Sequence, residues 1–429
     1  MGIHAVGSSG SWSELPADVL VTVLEGLAIR DLCRAGAVCR GWGTASSYVR
    51  GQHRALSRPR TPCLLYTAAG SSSSSDPLAA TLYSIADGRS YPVPLNGASI
   101  PGGELWLGAS HGWLVTVDDH AELHLVNPVT GQRIDSLPSV ATIEQVRRVH
   151  DDTGAVVADT YLVYPYDWSL EVLPQELDHP ITLDARKLTK YLYLRALISL
   201  DPSDGDGCVV VLIHRPSNQL SFARPGDGHW TWIRPPQENT EYCDCAFDDD
   251  GRTLYALRYD GAIHAFDLHR RPALEKEVIL RPQVYPVTRR ITKYLLHAPW
   301  LSCWLQVWRN MELISSTGLD EATEWMRVYQ VDLAAQKLVE IENIGDHALF
   351  LGCNYSFALA ATNCPGILSD HIYYTDSEEY YALYKPHCSR DIGMYNVGEG
   401  TFHKVQPPCP WSNWPLPTWI APSLAYKTR

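Results

Sequence analysis

The 429-residue chain is 45% hydrophobic and 19% charged, the composition of a folded protein with ample core, which excludes a disordered or fibrous chain. Its formal net charge of -13 divides into roughly +3 over the first 75 residues and roughly -16 over the remainder. An acidic body repels phosphate backbones, which sets nucleic-acid binding aside.

At the N-terminus, residues 1–11 carry neither a positive start nor an apolar signal core, and no uninterrupted apolar run in the chain approaches a membrane span. The expected location is therefore the cytosol or nucleus. Pro16 stands where a first helical turn begins, since its fixed φ suits that place and its missing N–H costs nothing there. Leu15, Val19, Val23 and Leu27, with Leu20 and Leu24 beside them, recur at helical spacing and form one broad apolar stripe that must be covered. Asp31 reads as the N-cap of a second helix in which Leu32, Ala35, Val38 and Trp42 share a face. Gly36, Gly41 and Gly43 lower its intrinsic helicity. A unit of about forty residues excludes too little surface to stand well alone, so by itself the pattern is a helical hairpin that packs on something else.

Beyond residue 60 the chain reads as β. Fourteen Trp, 23 Tyr, 29 Pro and 30 Gly against six Phe suit many short strands joined by turns. Trp113–Val117, a turn at Asp118-Asp119, and Glu122–Val126 make one hairpin. Cys208–Ile213, Leu220–Ala223 and Trp230–Ile233 make a meander. Tyr242–Phe247, Leu254–Tyr259 and Ile263–Leu268, joined by Asp248-Asp249-Asp250-Gly251 and Asp260-Gly261, make the clearest one. Equivalent strands beginning near Leu220, Ile263, Val328 and Met394 lie about 43, 65 and 66 residues apart, near the length of kelch-like repeats with insertions. The predicted architecture is a β-propeller of five to seven blades, whose loops on two faces suit partner binding. A β-sandwich or a pair of β domains is the alternative.

The order Leu15-Pro16-x-x-Val19-Leu20-x-x-Val23-Leu24-x-x-Leu27, then Asp31-Leu32 and Val38-Cys39-Arg40-x-Trp42, resembles the F-box. The later motifs, from Ser110-His111-Gly112-Trp113 and Asn127-Pro128-x-Thr130-Gly131 to Gly345-Asp346, Ile372-Tyr373-Tyr374-Thr375-Asp376 and Trp419-x-x-Pro422-Ser423, resemble in order the propeller of the KIB-type plant F-box family, a domain of unknown function. The resemblance implies a multidomain protein with a small all-α F-box at 12–50, a linker at 51–60 and an all-β propeller at 61–425. It further implies a substrate-recognition adaptor of a Skp–cullin–F-box ubiquitin ligase. In that reading Leu15, Pro16, Val19, Leu20, Leu24, Leu32, Val38 and Trp42 are carried over as contacts to the Skp-type adaptor, and through it to a cullin-RING ligase. Some of these side chains must instead hold the helices together. The propeller binds a protein substrate whose identity and contact residues the sequence leaves open. No cofactor, metal, nucleic acid or membrane is implied, and the chain is expected to be non-catalytic. The alternative from another class is an F-box-like binding or inhibitory propeller outside ubiquitination. Pro299-Trp300-Leu301-Ser302-Cys303-Trp304 departs from the family pattern and puts the form of its blade in question, and the Ala68–Ser75 tract reads as a surface loop.

Several segments look catalytic but read as structure. Gly108-Ala109-Ser110-His111-Gly112 spells the G-x-S-x-G of a hydrolase elbow, yet a strand pattern follows where that chemistry needs a helix. Asp248-Asp249-Asp250-Gly251 lacks the alternating ligands and distal Glu of a calcium loop. Eleven Cys include no paired C-x2-C spacing, so buried thiols are the default. His214, His229 and His264 fall in or near neighbouring strands and could converge on a metal, but read first as structural residues. Arg289-Arg290 with Lys293 reads as a solvated basic cluster.

Overall fold

The computed structural model describes residues 12–51 apart from 13, 14, 26, 28–31, 33, 34 and 37. It then describes 61–67, 80–93, 105–164, 180–204, 207–235, 240–269, 276–282, 291–313, 321–376, 390–408, 410–412 and 415–423. The Asp31 cap, the linker from 52 onward, the Ala68–Ser75 tract and Arg289-Arg290 lie outside the described residues. Among the described residues no helix is long and apolar enough to cross a membrane.

Helix α1 (Ala17–Glu25) starts directly behind Pro16, whose carbonyl accepts from Leu20 N at 3.0 Å. Helix α2 (Arg40–Gly51) crosses it, and Leu20, Leu24, Leu32, Ala35, Ala45 and Val49 form their shared core. Gly36 and Gly43, poor helix formers, sit where the backbones approach. A Cβ on Gly36 would lie 2.8 Å from Ser46 Oγ, and one on Gly43 would lie 3.1 Å from Gly36 O. Ser46 Oγ uses that closeness to donate to Leu32 O at 3.0 Å.

The strands follow in chain order. They begin with β1 (Cys63–Thr67), β2 (Ala80–Ser84) and β3 (Arg89–Val93), then β4 (Leu105–Ser110), β5 (Trp113–Val117), β6 (Leu123–Val126) and β7 (Arg133–Ile134). A second group holds β8 (Val146–His150), β9 (Val156–Val163) and β10 (Ile181–Asp184), followed by helix α3 (Ala185–Leu192). Next are β11 (Tyr193–Ile198), β12 (Val210–His214), β13 (Gln219–Ala223) and β14 (Thr231–Ile233). After these come β15 (Tyr242–Phe247), β16 (Thr253–Arg258), β17 (Ile263–Asp267) and β18 (Lys276–Leu280). The fifth meander is β19 (Ile291–Ala298), β20 (Cys303–Leu313), β21 (Glu321–Asp332) and β22 (Lys337–Ile341). The last strands are β23 (His347–Leu351), β24 (Phe357–Ala360), β25 (His371–Tyr374), β26 (Gly393–Asn396), β27 (Thr401–Lys404) and β28 (Thr418–Ile420).

These strands make seven sheets among the described residues, and apolar packing joins six of them into a closed ring. Sheet I (β28-β1-β2-β3) meets sheet II (β4 to β7) through Leu65, Ile420, Trp106 and Leu114. Sheet II meets sheet III (β11 to β14) through Trp113, Leu125, Ala196 and Leu212. Val211, Phe222, Phe247 and Leu254 join sheet III to sheet IV (β15 to β18). Leu257, Ile263, Leu295 and Trp308 join IV to sheet V (β19 to β22). Val307 and Val328 join V to Leu349 and Ile372 of sheet VI (β24-β23-β25-β26-β27). Phe350 and Tyr373 then reach Leu64 and Trp419 of sheet I, and the circle is complete.

A cyclic order of sheets is a propeller and rules out a sandwich. Closure uses the first and last strands of the β region: β28 pairs Ile420 with Cys63 and Thr418 with Leu65 of β1. The seventh sheet, β10-β9-β8, is an insertion with α3 between sheets II and III. The positions that suggested a repeat fall on β13, β17, β21 and β26, each next to the outermost strand of its sheet. The Pro299 departure alters a turn and leaves the sheet intact: Pro299–Leu301 is a short 3-10 turn, closed by Ser302 at φ 50°, between β19 and β20.

Candidate functional site

The eight residues carried over to the adaptor do not share one environment. Leu20, Leu24 and Leu32 are covered within the helical core. Leu15 and Trp42 are half-buried against it, and the Trp42 indole N–H donates to Trp12 O at 3.0 Å. Pro16 is exposed, as are Val19 at 42% and Val38 at 65%. Val23, one turn beyond Val19 on the same face of α1, is 44% exposed and Tyr48 on α2 is 54% exposed. Val23 belongs to the apolar stripe but was not in the carried-over set. Periodicity alone could have included it, because a stripe this wide exceeds what one packing face needs.

This helical module touches the propeller at Val129, which packs against its core from the turn between β6 and β7. Asn127 builds that turn by accepting from Val129 N and Thr130 N at 3.0 Å each, and it donates to Ser423 O at 3.0 Å. The helical module is thus seated next to the place where Ser423 is anchored. Asp201 completes the anchor by accepting from Trp113 Nε1 at 3.0 Å and Ser423 Oγ at 3.3 Å.

The catalytic look-alikes resolve into structure. Ser110 ends β4 and is buried, with its Oγ accepting from Ile198 N at 3.3 Å; His111 and Gly112 turn the chain directly into β5 at positive φ. Asp248 accepts from the amides of Arg252 and Thr253, and Gly251 closes a hairpin turn at φ 67°. His214 and His264 each have a separate partner, Ser221 Oγ at 2.8 Å and Tyr242 Oη at 2.9 Å, while His229 is exposed. Among the described residues no three His, Cys, Asp or Glu side chains gather as a metal site. The described cysteines are all free thiols, and burial pushes those of Cys63 and Cys243 up to about 12, far from reactive thiolates. Lys293 corrects the expectation of a solvated basic cluster. It is buried, stacks its ammonium 4.2 Å from the Trp308 ring centre and donates to Tyr259 O.

A buried ionic pair joins the first strands of sheets III and IV: Arg195 Nη1 of β11 donates to Asp244 Oδ1 of β15 at 2.6 Å. Asp244 also accepts from Cys245 N, Leu295 N and Ser356 Oγ at 2.9 to 3.2 Å. Burial pushes its carboxyl up, and Arg195 with the backbone donors pulls it back down. With four donors on one carboxylate, the pair is a structural node rather than a poised acid or base.

Comparison with known proteins places this geometry. Residues 82–396 match the family model described as the KIB1-4 beta-propeller, and residues 12–48 match the F-box-like model. The chain is similar to the F-box protein At5g25290 of Arabidopsis thaliana, at 22% identity over 405 residues that cover 90% of this chain and 91% of that one. It is similar to the putative F-box protein At2g33200 of the same plant at 22% identity, covering 91% and 92%. Among solved structures it is similar to the β-propeller domain of Myceliophteria thermophila Cps50 (Swd1), at 10% identity and a TM-score of 0.31, covering 72% of this chain and 88% of that one.

Proposed function

Since the chain belongs to the KIB1-4 β-propeller family and carries an F-box-like segment ahead of its propeller, we propose that it is a substrate-recognition subunit of a Skp–cullin–F-box ubiquitin ligase. F-box domains generally bind Skp-type adaptors, and an F-box joined to a propeller is typical of non-catalytic adaptor subunits. The observation that carries the reading is the folded helical module whose Val19, Val23 and Val38 remain exposed while Leu20, Leu24 and Leu32 are buried in its core. Exposed apolar residues on a small module that already has a core are best explained by a partner that covers them. The proposed docking face is therefore Pro16, Val19, Val23 and Val38, with Leu15 and Trp42 at its margin and Leu20, Leu24 and Leu32 supporting it from inside.

The mechanism is positioning. The chain makes and breaks no bond; holding a protein substrate on the propeller beside a ubiquitin-charged enzyme raises the local concentration and orients acceptor lysines. A nuclear or cytosolic site of action follows from this role. Titration of the full chain with a Skp-type adaptor tests it. Binding should occur with the wild type and fall at least tenfold in Val19→Asp and Val38→Asp, both of which should keep the wild-type melting curve because those side chains are exposed. A well-folded wild-type chain that does not bind the adaptor would refute the ligase reading.

A further inference from the structure

We infer that the loop between β23 and β24, Gly352 to Ser356, is an axial strut that fills the centre of the ring and couples sheets that do not adjoin. The loop leaves sheet VI and makes no detour over the surface: Cys353, Asn354 and Ser356 are buried to 1% exposure or less. Its first cross-ring bond runs to sheet II, where Tyr355 N donates to Ala109 O of β4 at 2.9 Å. A second set runs to sheet IV, where Tyr355 Oη accepts from Phe247 N at 3.3 Å and Ser356 Oγ donates to Asp244 Oδ2 at 3.2 Å, both partners lying on β15.

Asp244 extends the linkage. Its two oxygens hold Arg195 of β11 in sheet III and the Leu295 amide of β19 in sheet V. One loop and one carboxylate therefore tie together five of the six ring sheets through their innermost strands, in a buried setting where a lost hydrogen bond is costly. Two glycines make the approach feasible. A Cβ on Gly108 of β4 would run into Ala196 O and lie 3.2 Å from Cys353 O, and a Cβ on Gly352 would collide with Thr375 Oγ1.

Propellers surround a central channel, and an enzyme or small-molecule binder of this architecture would use that channel. On this inference the buried loop of residues 352–356 stands in that channel, which favours recognition on the faces and rims of the sheets. This inference is independent of the adaptor reading and stands if that reading fails.

Hydrogen exchange of the full chain, read peptide by peptide, tests the strut. In Ser356→Ala and in Asp244→Asn the amides of β4, β15 and β19 should exchange about tenfold faster together, while the outer strands β7 and β14 keep wild-type protection. Ser221→Ala, which removes a buried hydrogen bond inside sheet III, serves as the control and should affect that sheet alone. If Asp244→Asn does not fold, Tyr355→Phe removes a single hydroxyl and is read in the same way. Loss of protection confined to residues 352–357 and β15, or loss spread evenly over every sheet as in general destabilisation, would overturn the inference.

Discussion

On α1, two valines one turn apart, Val19 and Val23, face water while Leu20 and Leu24 are wholly covered. Both pairs have helical spacing, so the sequence pattern could identify the helix but could not separate the face that makes the core from the face left over. Geometry separates them, and substitution should too. Leu24→Ala should destabilise the module by about 2–5 kcal/mol through lost burial and a cavity, seen as early unfolding of the helical signal, whereas Val19→Asp should leave that signal unchanged.

A second residue-scale prediction concerns acid. His214 donates through Nδ1 to Arg215 O at 2.9 Å and accepts through Nε2 from Ser221 Oγ, and burial holds it down near 4. Burial likewise holds His264 down near 4. With the folded value below the unfolded 6.5, the unfolded chain binds protons more readily, so stability present at pH 7 is lost as pH falls from about 6.5 toward about 4. Asp376, pushed up to about 6 by burial against the pull of Arg309 and Arg390, has the opposite slope and regains stability as it protonates. The His214 contribution is isolated by comparing the wild-type chain with its His214→Gln variant. Urea titrations at pH 7 and at about pH 4.5 should differ, with His214 alone contributing roughly 2–3 kcal/mol, and His214→Gln should flatten the dependence by that amount. No change in slope in that variant would mean the imidazole is not held neutral.

Among the elements, the ones announced by tight turns were the most legible. Asp248-Asp249-Asp250-Gly251 and Asp260-Gly261 mark the ends of β15, β16 and β17, because only a few residue types reverse a strand in so short a space. The inserted sheet β8-β9-β10 was not legible: nothing in its alternation separates it from a ring strand, and only its packing beside α3 places it outside the circle. The crossing of β24 was equally hidden, since β23 pairs with β25 in parallel, a relation no local signal encodes. Lys293 was misplaced because a run of basic residues carries no information on the Trp308 face that buries one of them. The closing strand is the element most exposed to test. Trp419 packs edge-on against Phe350 and Tyr373, at 5.5 and 5.9 Å between ring centres, and joins the last sheet to the first. Trp419→Ala should cost about 3–5 kcal/mol, and urea unfolding of the full chain should lose cooperativity as the ring opens. Unchanged unfolding would mean that β28 does not hold the ring.

At the scale of the whole molecule, a helical module with an uncovered valine face sits beside blade turns of a closed six-sheet ring crossed by the buried contacts of residues 352–356. The F-box pattern and the ordered blade motifs were legible as a resemblance, while the surface that holds a substrate was not, because faces of a propeller are assembled from turns far apart in the chain. The adaptor role rests on the module and the substrate role on the ring, so the direct test asks for assembly by the intact protein. Native mass spectrometry of the full chain mixed with a Skp-type adaptor and the adaptor-binding end of a cullin is that measurement. The account predicts a one-to-one-to-one complex that disappears in the Val19→Asp, Val38→Asp double variant. A folded wild-type chain that remains alone while adaptor and cullin pair without it would contradict the account.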